Sequence, residues 1–143
     1  MTELSQAALR RLVHARAAGC CEYCRTCDIN TGQQMHIEHI NPKSGDSGDN
    51  LCLACPNCNL SKGTATSATD NVTDDVVTLF NPRSQQWVEH FEWAEGGLFI
   101  RGKTATGRAT VERLKMNQPR VVRARQNWIL AGTHPPADQT PGE

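Results

Sequence analysis

The sequence lacks any apolar run that approaches the roughly 20 residues needed to cross a bilayer. Its first helix-like segment, residues 3–18, carries charges throughout and has no apolar central region, so we expect an amphipathic helix there and not a signal peptide. Internal repeats and low-complexity domains are absent as well. The 143 residues, of which 38% are apolar, suit one compact domain with a subordinate lobe. We therefore expect a cytoplasmic protein that does not associate with membranes.

Net charge is also absent, since 15 basic residues balance 15 acidic ones. The balance hides an uneven distribution. Residues 101–125 contain eight basic residues and one acidic residue, whereas residues 70–95 contain six acidic residues and one basic residue. Local potential attracts phosphate more than total charge does, so the basic segment favours a nucleic-acid partner. A pair of solvated helix faces explains the same pattern equally well.

The seven cysteines are an odd number and fall into two clusters, CCEYCRTC at 20–27 and CLACPNC at 52–58. A disulfide framework is not expected in a reducing compartment. Two Cys-x-x-Cys turns supply the four thiolates of a tetrahedral zinc site, so the pattern predicts structural Zn²⁺. Spacing alone does not select the zinc ligands, because more than one set of cysteine pairs has two residues between its members. We call each such set a ligand frame. The frames are Cys21, Cys24, Cys55 and Cys58, or pairings that use Cys24/Cys27 and Cys52/Cys55.

Hydrophobic periodicity and turn residues predict short elements along the chain. In the N-terminal half these are a helix at 3–18, a strand at 34–40 closed by Asn41-Pro42, a polar loop at 43–50, a strand at 51–55 and a helix that starts within PNCNLSKG. Residues 63–74 have the composition of a linker. VVTLF, WVEHFEW and LFIR then predict an antiparallel meander, followed by helices at 107–117 and 119–130. Trp87, Phe91 and Trp93 would share one strand face, and such a stripe is more often a buried sheet face than a platform for bases.

Between residues 21 and 62, four short motifs follow one another. They are Cys-x-x-Cys at 21–24, Glu-His-Ile-Asn-Pro at 38–42, Asp-Asn-Leu at 49–51 and Cys-x-x-Cys-Asn-x-x-Lys at 55–62. Their joint occurrence and order resemble the zinc-containing branch of the HNH endonuclease family, over roughly residues 10–65. The resemblance implies an α+β fold. Its core would be a ββα-metal (His-Me finger) nuclease unit with a four-cysteine zinc site, joined by a small antiparallel sheet and C-terminal helices.

The resemblance also assigns roles to individual residues. His39, directly after an acidic residue, would be the general base that activates water against a DNA phosphodiester. Glu38 and Asn59 would hold a catalytic Mg²⁺ or Mn²⁺, Asn50 would orient His39 through backbone contacts, and Lys62 would contact a phosphate. A neutral imidazole, with an ordinary pKa of about 6.5, suits the role of general base, and hard oxygen ligands suit the binding of Mg²⁺ or Mn²⁺.

In register with the family, the zinc ligands are Cys21, Cys24, Cys55 and Cys58. Cys20, Cys27 and Cys52 are then left as packing residues. The chain departs from the usual motif in having Glu38 where Asp is common and Asn59 where His is common, which makes it an H-N-N variant. His36, two residues before Glu38, is a candidate further ligand or orienting partner, with a structural hydrogen-bonding role as the more usual alternative.

These assignments give a predicted organisation of the whole chain. The nuclease unit would span residues 1–65, a β-meander with basic helices would pack on it at 66–131, and 132–143 would be a disordered tail. Duplex DNA is the expected partner, contacted in part by Arg120 and Arg123, while the oligomeric state stays open. Two other functions fit the motifs: a zinc-ribbon nucleic-acid-binding module without catalysis, and an RNase.

Overall fold

The computed structural model describes residues 5–137, which form a mixed α/β fold with three small antiparallel sheets. The helices in this part of the chain are α1 (Gln6–Arg16), α2 (Asp28–Thr31), α3 (Pro56–Lys62), α4 (Trp87–His90), α5 (Ala105–Arg113) and α6 (Pro119–Leu130). The strands are β1 (His36–His39), β2 (Leu51–Ala54), β3 (Ser67–Thr69), β4 (Val76–Thr78), β5 (Phe91–Ala94) and β6 (Phe99–Gly102). No helix among these residues has the length and apolar character that spanning a membrane requires.

Local chemistry sets the ends of the helices that flank the candidate site. α1 begins after Ser5, whose Oγ accepts a hydrogen bond from the Ala8 amide (3.1 Å), and the chain leaves it through Gly19 at a φ of 73°. α3 begins after Cys55, with Pro56 at its first position, where the missing amide proton costs nothing. Its end is marked by Gly63, which has a φ of 55°.

β1 and β2 form an antiparallel hairpin that leads directly into α3. The register places Glu38 opposite Cys52 and His39 opposite Leu51. Because side chains alternate along a strand, Glu38 points into the interior and His39 lies at the hairpin surface. The predicted strands at 34–40 and 51–55 and the predicted helix after them are therefore all present, with slightly shorter bounds.

The predicted C-terminal meander is wrong in its first pairing, whereas the antiparallel pairing of its last two strands is confirmed. β3 pairs only with β4 and β5 only with β6 within the described chain, so two separate hairpins replace one sheet. The predicted linker at 63–74 contains β3, and the predicted strand at 87–93 begins as α4 and becomes β5 only at Phe91. Trp87 and Phe91 are four residues apart, a separation that brings side chains together across a helical turn as well as across a strand face.

One hydrophobic core joins the two halves of the chain. It includes Val13, Tyr23 and Leu51 from the N-terminal half and Phe80 and Leu114 from the C-terminal half. The aromatic stripe belongs to this core, as the rings of Trp87 and Phe91 lie 5.2 Å apart and both are buried. The Trp87 indole also donates to the Tyr23 carbonyl (2.7 Å). The C-terminal region therefore packs against the N-terminal unit through a shared hydrophobic core.

The segment predicted as a disordered tail is partly ordered. His134 is buried, its Nε2 lies 3.1 Å from the Gly97 carbonyl, and its ring packs edge-on against Trp93 at 4.7 Å. Residues 138–143 lie outside the described residues.

Candidate functional site

Four cysteines converge where the first Cys-x-x-Cys turn meets the start of α3. They are Cys21, Cys24, Cys55 and Cys58. Their sulfur atoms all lie within 4.8 Å of one another, and all four side chains are buried. Two amides stabilise the turns, with Cys24 N 3.5 Å from Cys21 Sγ and Cys58 N 3.4 Å from Cys55 Sγ. Tetrahedral zinc at about 2.3 Å from each sulfur would separate the sulfurs by about 3.8 Å. The cluster therefore suits a zinc ion, and it uses the first of the two frames.

The thiols of this cluster influence one another strongly. Hydrogen bonds from Cys21 and then Cys55 hold the pKa of Cys24 well below its usual value. Hydrogen bonds with Cys21, and then with Cys24, raise the pKa values of Cys55 and Cys58. A bound divalent cation would stabilise all four residues as thiolates.

Arg125 places a buried positive charge close to this cluster. Burial lowers its pKa, and the charges of Cys24 and Cys58 act in the opposite direction. Its guanidinium is held by the carbonyls of Met116 (2.6 Å) and Leu98 (2.9 Å). Arg125 belongs to the basic segment that was expected to favour a nucleic-acid partner, but it is buried in the core, where its charge would offset the negative charge of a four-thiolate site.

A disulfide joins Cys20 to Cys27, which corrects the expectation that the cysteines form none and that these two are packing residues. The two residues face each other in an isolated antiparallel bridge that closes the loop around Cys21 and Cys24. Facing positions bring the two side chains together, and sequence spacing does not reveal such a pairing. Cys52 is buried and forms no disulfide, and its Sγ lies 3.9 Å from Oε2 of Glu38.

His39 lies at the end of β1 in a cleft of about 240 Å³. Its side chain is 42% exposed, and its Nε2 lies 2.6 Å from an oxygen of Asp46, which is itself 80% exposed. The other residues that line the cleft are Gln6, Leu9, Arg10, Ile37 and Leu51. Asp46 was not predicted as a site residue; the only sequence signal was the polar loop that contains it.

Asn50 closes the loop that follows His39. Its Oδ1 accepts from the Asn41 amide (3.0 Å), and its Nδ2 donates to the carbonyls of Asn41 (2.9 Å) and Gly45 (2.7 Å). Its own carbonyl accepts from the Ile40 amide (2.9 Å). Asn50 therefore joins both ends of the loop to the end of the strand that carries His39.

Glu38 and Lys62 form an ion pair in the interior. Their side chains are 5% and 1% exposed, and Nζ lies 3.0 Å from Oε1. Lys62 also donates to the carbonyls of His39 (3.3 Å) and Ile40 (3.1 Å), while the Tyr23 hydroxyl donates to Glu38 Oε2 (3.1 Å). Burial raises the pKa of Glu38, and Lys62 partly offsets this effect.

This pair bears on two roles that the resemblance implies, which stay predictions. Lys62 is buried against Glu38 and two backbone carbonyls, whereas a phosphate contact requires an accessible amine. Both oxygens of Glu38 accept hydrogen bonds, one from Lys62 and one from the Tyr23 hydroxyl. The cause is strand alternation, which turns Glu38 inward beside the outward-facing His39. Tyr23, the third member of the network, was missed because nothing in the sequence connects it to Glu38.

The remaining predicted residues lie on three different elements. Asn59 is half-buried on α3, and His36 is exposed at the start of β1. Within residues 5–137, the four cysteines are the one place where three or more His, Cys, Asp or Glu side chains come close enough to hold a metal. Arg120 and Arg123 are exposed on the first turns of α6.

These observations define a small cysteine-clustered α/β module with a histidine cleft at the end of its hairpin. Residues 21–65, which include the cluster, the hairpin and α3, match the family model described as HNH endonuclease. This match confirms the resemblance over 45 of the 143 residues, and it suggests nuclease or nucleic-acid-binding activity. Comparison with curated proteins gave no match, and comparison with solved structures gave none either.

Proposed function

We propose that the protein is an endonuclease that hydrolyses DNA phosphodiester bonds with His39 as its general base. The observation that carries the proposal is the placement of His39 within the segment that matches the HNH family. It is half-exposed at the end of a strand, in a cleft, with a carboxylate oxygen 2.6 Å from one ring nitrogen. A histidine in such a position can accept a proton from water at neutral pH.

The Asp46 contact defines how the imidazole acts. When Nε2–H donates to the Asp46 carboxylate, Nδ1 keeps its lone pair and accepts the proton of the attacking water. The resulting imidazolium is stabilised by the same carboxylate. Asp46 therefore orients His39 and stabilises its charged form, as the acidic partner of a base does in other hydrolases.

Two groups of contacts hold His39 in place. Asn50 joins the following loop to the strand end, and Lys62 binds the carbonyl oxygens of His39 and Ile40. A base must lie within hydrogen-bond reach of its water, and small displacements reduce the rate steeply. We assign Asn50 and the Glu38–Lys62 pair to positioning, because their contacts are to the backbone around His39 and not to the cleft.

The four cysteines fit a structural Zn²⁺, which would be fully coordinated by protein thiolates and would have no open position for water. The Mg²⁺ or Mn²⁺ implied by the resemblance fits less well. Glu38 is already bound by Lys62 and Tyr23, so we derive no step through that ion. Dependence of activity on a divalent cation stays a prediction, to be checked by EDTA treatment and re-addition of Mg²⁺ or Mn²⁺ to zinc-loaded protein.

We also propose a structural role for residues 66–131. They share a core with the N-terminal unit, and Asn57 on α3 donates to the carbonyls of Leu114 and Lys115 (both 3.2 Å). The exposed arginines of α6 give this region a surface for duplex DNA. The region would therefore stabilise the nuclease unit and contribute affinity for the substrate.

The substrate class is tested with zinc-loaded full-length protein on three substrates: supercoiled plasmid, single-stranded DNA and RNA of matched length. Cleavage of plasmid, with RNA cut at most weakly, is the expected result. Preferential RNA cleavage would make the protein an RNase. Binding to all three without cleavage, in Mg²⁺ and in Mn²⁺, would make it a nucleic-acid-binding module.

A further inference from the structure

The cleft beside His39 has a wall that comes from α1, outside the segment that matches the family. Gln6, Leu9 and Arg10 line it from this helix. Leu9 and Arg10 lie three and four residues after Gln6, so all three side chains share one helix face. Among the described residues that line the cleft, Arg10 is the only one with a permanent positive charge.

Hydrolysis of a phosphodiester in this cleft needs a cationic group. The substrate phosphate is anionic, negative charge increases in the transition state, and Asp46 adds a further negative charge at the cleft. Lys62, the residue that the sequence favoured for this task, is buried under the strand and bound to Glu38. Among the side chains of the protein, the positive charge in the cleft therefore comes from a residue other than Lys62, whether or not a divalent cation also binds.

The contacts of Arg10 leave its guanidinium available. Its one hydrogen-bond acceptor among the described residues is the Met35 carbonyl, at a long 3.4 Å, and within residues 5–137 it makes no ion pair. Arg16 on the same helix is different, because it binds the carbonyls of Gly48 (2.9 Å) and Leu51 (2.7 Å). Arg16 anchors the hairpin, whereas Arg10 is exposed beside the histidine.

We propose that Arg10 binds a backbone phosphate of the nucleic acid in the cleft beside His39. The inference rests on the proposed function and extends it, because it names the group that holds the substrate. A guanidinium offers paired N–H donors that match two phosphate oxygens, and a lysine would offer a single point charge. The recognised group is a phosphate of the backbone, which requires no particular base sequence.

The test compares Arg10→Ala and Arg10→Lys with Arg11→Ala. Arg11 is the matched control, since it is an exposed arginine on the same helix that lines the neighbouring depression with His14 and Asp28, which Arg10 also borders, but does not line the cleft of His39. At saturating plasmid, kcat for Arg10→Ala should fall by about 100-fold, the size typical for loss of one transition-state contact. Arg10→Lys should recover part of this loss, and Arg11→Ala should stay within about twofold of the wild type.

A second readout does not need cleavage. Affinity for a short DNA duplex is measured by fluorescence anisotropy against salt in the His39→Ala background. Arg10→Ala should reduce the slope of log K against log salt by about 0.9, the contribution of one phosphate contact, and Arg11→Ala should reduce it less. Unchanged melting temperature and zinc content exclude misfolding as the cause.

The two readouts separate failure of the inference from failure of the proposed function. If wild type cuts DNA while Arg10→Ala keeps its kcat and its salt slope, Arg10 is not a phosphate ligand and the inference is overturned. If wild type cuts nothing but Arg10→Ala still flattens the slope, the nuclease proposal fails and the phosphate contact stands. Equal loss in Arg10→Ala and Arg11→Ala would also overturn the inference, since it would show only a diffuse charge effect.

Discussion

At the scale of single residues, the buried pair of Glu38 and Lys62 is the least expected feature of the site. Each charge is isolated from water and compensated by the other, with Tyr23 as an additional donor. A buried ion pair contributes little net stability, but loss of one partner leaves an uncompensated charge in the interior. The interior can therefore accommodate both charged side chains together, or neutral side chains at both positions, but not one charge alone.

Lys62→Met should destabilise the protein by about 3–5 kcal/mol, because Glu38 then stays buried without its counter-charge. The double variant Glu38→Gln/Lys62→Met should recover much of this loss, since no charge is left. Urea denaturation of zinc-loaded protein measures both. Lys43→Met, which removes an exposed loop lysine, is the control and should change the free energy of unfolding by under about 0.5 kcal/mol. A double variant that loses the sum of the two single losses would show that the two residues are not coupled.

At the scale of elements, the first Cys-x-x-Cys turn and α3 meet at the four-cysteine cluster. Each element is short, and α3 has only seven residues, too few to be stable in isolation. The cysteine cluster connects them at the point where α3 begins. An ion bound there contributes its binding free energy to folding.

Cys58→Ser should therefore abolish stoichiometric zinc binding and lower the melting temperature strongly. Cys52→Ala is the matched control, because Cys52 is equally buried but lies outside the cluster, and it should retain one zinc. Metal content by mass spectrometry and thermal unfolding give the two readouts. The opposite pattern, zinc lost from Cys52→Ala and kept by Cys58→Ser, would favour the competing ligand frame.

The N-terminal elements could be predicted from the sequence because their signals are local. Asn41-Pro42 ends a strand, Pro56 begins a helix and cysteine pairs define turns, so the hairpin and α3 were expected near their actual positions. The C-terminal half gave weaker signals. Trp87 and Phe91 satisfy a strand pattern and a helical turn equally well, and only their packing in the core selects α4 followed by β5.

The candidate site was predictable only in part. His39 and Asn50 were named from motifs, and the structure places both at the end of the same hairpin. Asp46 and Arg10 were missed, because their relevance depends on which side chains meet across the cleft. Glu38 and Lys62 were named, but their burial follows from tertiary packing that a motif does not encode.

At the scale of the whole molecule, the basic segment is less exposed than its composition implies. Arg125 is buried, Arg108 binds Asp70 through two hydrogen bonds (both 2.9 Å), and Arg101 lies 3.1 Å from Glu92. Arg120 and Arg123 are exposed on α6 and make no ion pair among the described residues. The exposed basic side chains of this segment that make no ion pair among the described residues are therefore Arg120 and Arg123 on α6, together with Lys103, Arg113 and Lys115 before it.

The double variant Arg120→Ala/Arg123→Ala should weaken binding to duplex DNA and reduce the salt slope by up to about 1.8, since each phosphate contact contributes about 0.9. Arg101→Ala is the control, because its guanidinium is already paired with Glu92, and its slope should stay near that of wild type. Fluorescence anisotropy over a salt series measures all three proteins. An unchanged slope in the double variant would leave α6 as a structural element only.

Plasmid nicking shows whether His39 is the base of a DNA-cutting site. His39→Ala is compared with His14→Ala, which removes another exposed histidine whose Nε2 lies 2.7 Å from the carboxylate of Asp28 but which lies outside the cleft. Loss of a general base should lower the nicking rate of His39→Ala by about 100-fold or more, with DNA affinity and zinc content unchanged, while His14→Ala cuts like the wild type. Nicking by His39→Ala at the wild-type rate would contradict the account.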